Sequence, residues 1–248
     1  MFDAKSLLDQ FLGAAQGGTS AGQARGGSAS GNSSPNDLLS LGKQFLGSQG
    51  QGLALGGLAG MMLGSKSGRK IGSKAVQYGG LALAASLAYK AYQNYSANKQ
   101  GEPRPQTDAI PAAPPKGNAF DPASQPGGEN QVAVALLVAM ISAAKADGHI
   151  DAEEQVKIFG KMDEAGLDTE AKAFLMDELR APLDLDKVVA SAKTPETAAE
   201  IYAVSRLAIE PDHAAERAYL QMLAARLELD TGLVEEIELA VREAEAAD

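Results

Sequence analysis

Two short acidic stretches hold the side chains best placed to do chemistry. Lys145–Glu154 reads KADGHIDAEE and Glu210–Arg217 reads EPDHAAER, and the chain's only two histidines, His149 and His213, fall inside them. Each stretch follows an apolar, helix-like run and precedes an amphipathic one, so each weakly echoes the other. Carboxylate oxygens suit a hard cation, Ca²⁺ or Mg²⁺, better than zinc. The spacing is not that of an EF-hand. Alternating acids at the first, third and fifth loop positions are missing, as is the closing bidentate Glu. A cation site would therefore need both turns brought together by packing the first helix of the acidic region near the fifth. The competing reading is conformational. Asp151 with Glu154 three residues later makes a capping-box pattern, and such a cap is worth on the order of 1 kcal/mol. Asp147-Gly148 is an ordinary helix-ending turn, and the histidines read as turn residues rather than ligands. A protein-contact surface using the same carboxylates is a third reading.

The elements around these stretches are helical. Apolar residues from Asn130 onward recur at three and four, with no alternating runs. The spacing predicts a buried central helix over 131–146, nearly all apolar (VAVALLVAMISAA). A second helix runs from about 152 to a stop before Gly166, and a third, capped by Asp168, runs to Arg180. A short helix covers 184–192, and Thr194-Pro195-Glu196 is a cap with proline at the first helical position, opening a helix to about Ile209. The chain restarts at Pro211 and Asp212 for a helix with Tyr219, Leu220, Leu223 and Leu227 inside. Asp230 caps the last helix, whose Leu233, Val234, Ile237, Val241 and Ala244 share one stripe. The expected fold class is all-α, with six or seven helices in residues 130–248.

Composition narrows the chemistry further. The 248-residue chain has no cysteine, which excludes disulfides, thiolate metal sites and Cys nucleophiles. Two histidines make a His-rich zinc centre unsuitable as a reading. Residues 1–100 carry nine Lys/Arg against three Asp/Glu, whereas 101–248 carry thirteen against twenty-nine. So acidic a C-terminal region repels nucleic acid. Nucleophile elbow, phosphate loop, dinucleotide fingerprint and zinc-protease motif are all missing, so no enzyme class is indicated. The N-terminus shows no secretory signal pattern.

The first half divides into three expected regions. Residues 1–43 read as a flexible Gly/Ser-rich region with short amphipathic helices, the first carrying Phe2, Leu7, Leu8, Phe11 and Leu12 on one face. Residues 44–98 read as a glycine-zipper, membrane-associated segment, one span or a hairpin. Residues 99–129 are Pro-rich and read as a disordered linker. The zipper reading rests on Gly52, Gly56, Gly60, Gly64, Gly68 and Gly72, one glycine every fourth position. In water each interior glycine costs a helix about 1 kcal/mol. In a bilayer the same spacing lets helix backbones approach closely. The apolar runs LALGGLAGMML and LALAASLAY are short of the ~20 residues a span needs. Lys66, Lys74 and Lys90 would have to snorkel, with Tyr89, Tyr92 and Tyr95 at the interface. A soluble self-association helix and an unstructured Gly/Ala segment are the alternatives.

Three segments in order, GGLAGMMLGSKSGRK (56–70), AAKADGHID (143–151) and IEPDHAAERAYL (209–220), resemble the bacterial inner-membrane YebE family. That family is of unknown function and sits in the tellurite-resistance TerB-like group. The resemblance implies a segment in the bacterial inner membrane followed by a TerB-like helical domain. It also implies divalent-cation binding on helix-linking turns, with Asp147, Asp151, Glu154, Glu210, Asp212 and Glu216 in the matching positions. Glu210-Pro211 departs from the usual pattern, where an aspartate without proline stands.

The functional expectation is a non-catalytic, membrane-anchored interaction or sensor module that takes Ca²⁺ or Mg²⁺. A metal-dependent hydrolase using both turns and a structural scaffold oligomerising through the glycine row are its rivals. Replacing Gly60 and Gly64 with Leu would block close backbone approach while raising hydrophobicity. Self-association in membranes, followed by cross-linking, should fall while membrane retention holds or rises; unchanged association would reject the packing idea.

Overall fold

The computed structural model of the chain describes residues 3–13, 80–105, 112–146, 169–209, 211 and 213–246. Among these residues the secondary structure is entirely helical. The α-helices are α1 (Ala4–Gly13), α2 (Gly80–Gln100), α3 (Gly128–Ala144), α4 (Thr169–Arg180), α5 (Leu185–Ser191), α6 (Pro195–Ala208), α7 (Ala214–Arg226) and α8 (Thr231–Ala246). A 3₁₀ turn, Pro122–Ser124, precedes α3.

Local chemistry sets most boundaries. Thr194 accepts from the Thr197 amide at 3.1 Å and Pro195 occupies the first turn of α6. Asp184 caps α5 through the Lys187 amide at 3.0 Å. Asp230 accepts from the Gly232 amide at 2.8 Å and opens α8. The helices expected over 131–146, 184–192 and from 195 to about 209 fall within three residues of α3, α5 and α6. The helix expected from about 152 lies outside the described residues.

The centre of the fold is the pairing of α3 with α6, its most extensive helix contact. Neither helix has a broad solvent-exposed face: Val132 to Ala143 of α3 and Thr197 to Ala208 of α6 are buried almost without interruption. Such helices must be covered all round. α2 supplies one cover, packing on α6 and α8, and α1 a second, packing on α2 and α3. Leu81, Leu83, Leu87, Leu7 and Leu8 are all buried in this one core, and each such leucine is worth about 2 kcal/mol in area removed from water.

Residues 80–98, expected inside the membrane-associated segment, therefore form part of the helical head. Lys90 does not snorkel. Its side chain is 4% exposed and its ammonium lies 2.8 Å from Glu243 of α8. Asn94 is buried on the same helix. A lipid-facing helix would leave the lysine unpaired, whereas a protein core gives it a carboxylate. Tyr89 and Tyr92 stand against the Phe120 ring, at centroid distances of 5.6 and 5.4 Å. Among the described residues no helix is long and apolar enough to cross a membrane. The glycine row itself, residues 52–72, lies outside the described residues.

The linker expected over 99–129 is mostly exposed where it is described, but it touches the head at a few points. Arg104 reaches Glu236 of α8 at 2.5 Å. Downstream, Asp121 gathers the Gly117 amide at 2.7 Å and the Ala123 amide at 3.2 Å, folding residues 112–127, the strap, into consecutive tight turns. Those turns bury Phe120 and Gln125. Prolines gave the stretch its linker-like composition, but they also lower the entropy lost when it docks.

A head that needs α2 cannot begin at Asn130. A fragment starting at Gly80 should still melt cooperatively, at a lower midpoint than the intact chain because it lacks the α1 part of the core, whereas one starting at Asn130 should bind hydrophobic dye and show no sharp transition. Circular dichroism melts of the two decide this, and a cooperative melt of the shorter one would contradict the shared core.

Candidate functional site

The six acids singled out in the sequence fare unequally. Asp147, Asp151, Glu154, Glu210 and Asp212 lie outside the described residues. Glu216 stands in the first turn of α7, where its carboxylate accepts from the His213 amide at 3.2 Å. That makes Glu216 a helix-capping group. His213 is exposed at the N-cap. Among the described residues no three His, Asp or Glu side chains converge as metal ligands. The packing of α3 on α6, which a two-turn site would require, is present. The end of α3 is also anchored. The Lys145 ammonium donates to the carbonyls of Glu178, at 2.9 Å, and Ala181, at the C-terminus of α4. Burial holds the Lys145 pKa below its usual value, while the helix carbonyls favour its positive charge.

A cleft of about 530 Å³ is the concave feature that sequence patterning does not announce. Its size falls in the ordinary range for ligand sites, about 300–1,000 Å³. Four parts of the chain build it. Tyr92 and Tyr95 of α2, with Phe120 of the strap, make an aromatic wall. The α5–α6 junction contributes Val189, Ala192 and Pro195, and the α7–α8 junction contributes Leu227, Leu229 and Leu233. Lys193, Glu196, Arg226, Glu228 and Asp230 supply its charged groups.

Those charges are tied down unequally. Arg226 pairs with Asp186, and Lys99 lies 3.5 Å from Asp230 and 4.6 Å from the centre of the Tyr95 ring. The Gly232 amide, with Tyr95 and Lys99 adding to it, holds the Asp230 carboxyl below the usual carboxylate range. Glu228 adopts a left-handed conformation, φ +55°, just past the end of α7. Its amide and that of Leu229 close the helix on the carbonyls of Ala225 and Ala224, in the arrangement that favours glycine. A glutamate there costs on the order of 1 kcal/mol, and it carries a carboxylate to the cleft where glycine would carry none.

Behind the cleft the strap is latched by a buried carboxyl. Gln125 donates from Nε2 to Glu200 Oε1 at 3.0 Å, and its own carbonyl accepts from Thr197 and, at 3.4 Å, from Thr194. Glu200 is 0% exposed, and its second oxygen has no hydrogen-bond partner among the described residues. Burial pushes its pKa up to about 8, against the pull of the Gln125 hydrogen bond and with a small push from Glu196. The carboxyl is therefore mostly neutral at pH 7.

Sequence reading missed the cleft because its walls come from four separated stretches, one read as membrane and one as linker. A signal existed in Lys90, which ends the apolar run LALAASLAY and demands a partner once buried.

The profile of a family described as "Protein of unknown function (DUF533)" matches residues 48–241. The "Uncharacterized protein in ampR 5'region" of Yersinia enterocolitica is 32% identical over 108 residues, covering 44% of this chain and 78% of that protein. No solved structure matches the chain.

The pH dependence of stability follows from Glu200. Its folded pKa lies above the unfolded value, so its contribution is complete below pH 4.5 and is lost as pH rises through the window to about 8. Glu200→Gln keeps an acceptor for Gln125 and removes the proton. Urea melts at pH 5 and pH 8 should show the wild type losing on the order of 3 kcal/mol relative to the variant across that window. Parallel pH profiles would mean that the carboxyl is already ionised in the folded state.

Proposed function

The chain belongs to the DUF533 family, and we propose that it is a non-catalytic, membrane-attached interaction module of the YebE, TerB-like type. Residues 44–79, with Gly52 to Gly72 in their row, are the attachment, and the bacterial inner membrane is its place. The head of α1 to α8 is the part that meets a partner. Its acidic helix-linking turns, with Asp147, Asp151, Glu154, Glu210, Asp212 and Glu216, hold Ca²⁺ or Mg²⁺, and Glu216 leaves its cap to do so.

One observation carries the non-catalytic reading. The buried charged side chains among the described residues hold helices together rather than facing a reaction space. Lys90 is held by Glu243, Glu236 by Arg104, Arg206 by Glu238 and Glu245, and Lys145 by carbonyls of α4. Glu200 holds the strap. The cleft is left with aromatic and aliphatic walls between charged groups, a composition suited to binding. A hydrolase built at this cleft, as distinct from one using the two acidic turns, would instead need a desolvated carboxylate facing it.

A cation that prefers the folded state must raise its melting temperature by mass action. With the intact chain, millimolar Ca²⁺ or Mg²⁺ should shift the midpoint upward by several degrees, and Asp151→Asn with Asp212→Asn should abolish the shift. An unmoved midpoint in both salts would remove the cation from this reading and leave a scaffold or a cation-independent module.

A further inference from the structure

The first helix is far from α2 and α3 in sequence and docked on both in space. Ala4, Leu7 and Leu8 are buried in the common core. The Ala4 amide donates to Asn130 Oδ1 at 2.6 Å, just inside α3, and Lys5 lies 3.9 Å from Glu129. Asp9 Oδ1 accepts from the Leu81 amide at 3.3 Å. Asp9 thus satisfies a free amide in the first turn of α2, the service a local N-cap gives, from a position 72 residues upstream.

The consequence is topological. The chain leaves the head at the end of α1, one turn beyond Asp9, and re-enters it at Gly80, beside Asp9. Residues 14–79 begin and end at the same corner of the head. We propose that α1 is an integral wall of the head that pins both ends of residues 14–79 together, so that any bilayer the segment enters it also leaves on the side it came from. This rests on the membrane attachment above only for its sidedness, because the docking of α1 stands on the contacts alone. α1 and the acidic head then share one face of the membrane, and a single crossing between them is excluded. The sequence agrees with the geometry. With α2 built into the core, the apolar run left between the pinned ends is LALGGLAGMML, residues 53–63. That is well under the ~20 residues of a spanning helix. Lys66, Arg69, Lys70 and Lys74 follow it directly, as in a segment that dips into one leaflet and meets anionic headgroups.

Two measurements on the intact chain test this. A protease site inserted after Gly27, with a tag beyond Asp248, separates α1 from everything else once cut. The freed α1 fragment should stay with the tagged remainder through washing, and Leu8→Asp should release it. If the unsubstituted fragment washes away, the docking is overturned, whether or not the protein binds membranes. The chain has no cysteine, so Ser6→Cys and Asn98→Cys each give a single thiol at an exposed position. In oriented inner-membrane vesicles, a membrane-impermeant maleimide should label both or spare both. Labelling of one with protection of the other overturns the shared face. Recovery of the whole chain in the soluble fraction would instead sink the membrane attachment, and retention of the α1 fragment would still decide the docking.

Discussion

Two helices without a broad solvent-exposed face govern this fold. α3 and α6 are buried on every side, and a helix of that kind is stable in water only inside a shell of others. The helices after Asn130 provide part of the shell. The rest comes from upstream, as α2, the strap with Phe120, and α1. The head is therefore assembled from distant parts of the chain, and its core cannot be complete until its first helix has returned to it. Long-range closure of this kind costs loop entropy, which burial of Leu7, Leu8, Leu81, Leu83 and Leu87 offsets.

The ionic groups inside the shell fix which helix goes where. Lys90 with Glu243 sets α2 on α8, Arg104 with Glu236 sets the residues just after α2 on α8, and Arg206 with Glu238 and Glu245 sets α6 on α8. Three of these carboxylate ends keep some access to solvent, which limits their desolvation cost, while Glu236 does not. Pairs of this type add little net stability, yet an unpaired member is costly, so they disfavour helix arrangements that separate them. Glu200 follows a different course. Having no cation beside it, it stays protonated at neutral pH and donates its geometry to the strap rather than a charge.

On the proposed reading, attachment and recognition meet at α2. α2 carries Tyr92 and Tyr95 to the cleft, Leu81 to the α1 corner and Lys90 to α8. A helix shared between the entry point of the glycine-rich segment and the wall of the cleft couples the two mechanically.

The sequence by itself determined the local grammar of the head. Thr194-Pro195, Asp230 and the apolar spacing of 131–146 place α6, α8 and α3 to within a turn, because caps and helical periodicity act over three or four residues. It determined the charge asymmetry and the absence of thiol chemistry as well. It could not assign α2, since LALAASLAY satisfies lipid and protein core equally until Glu243 arrives from the far end of the chain. Nor could it assign the strap, whose Pro-rich composition says nothing of a pocket for Phe120 or a buried partner for Gln125. Apolarity is a property of a residue, but what an apolar face is buried against belongs to the folded chain. Only the tertiary structure decided that the head begins with the first helix, and where its cleft lies.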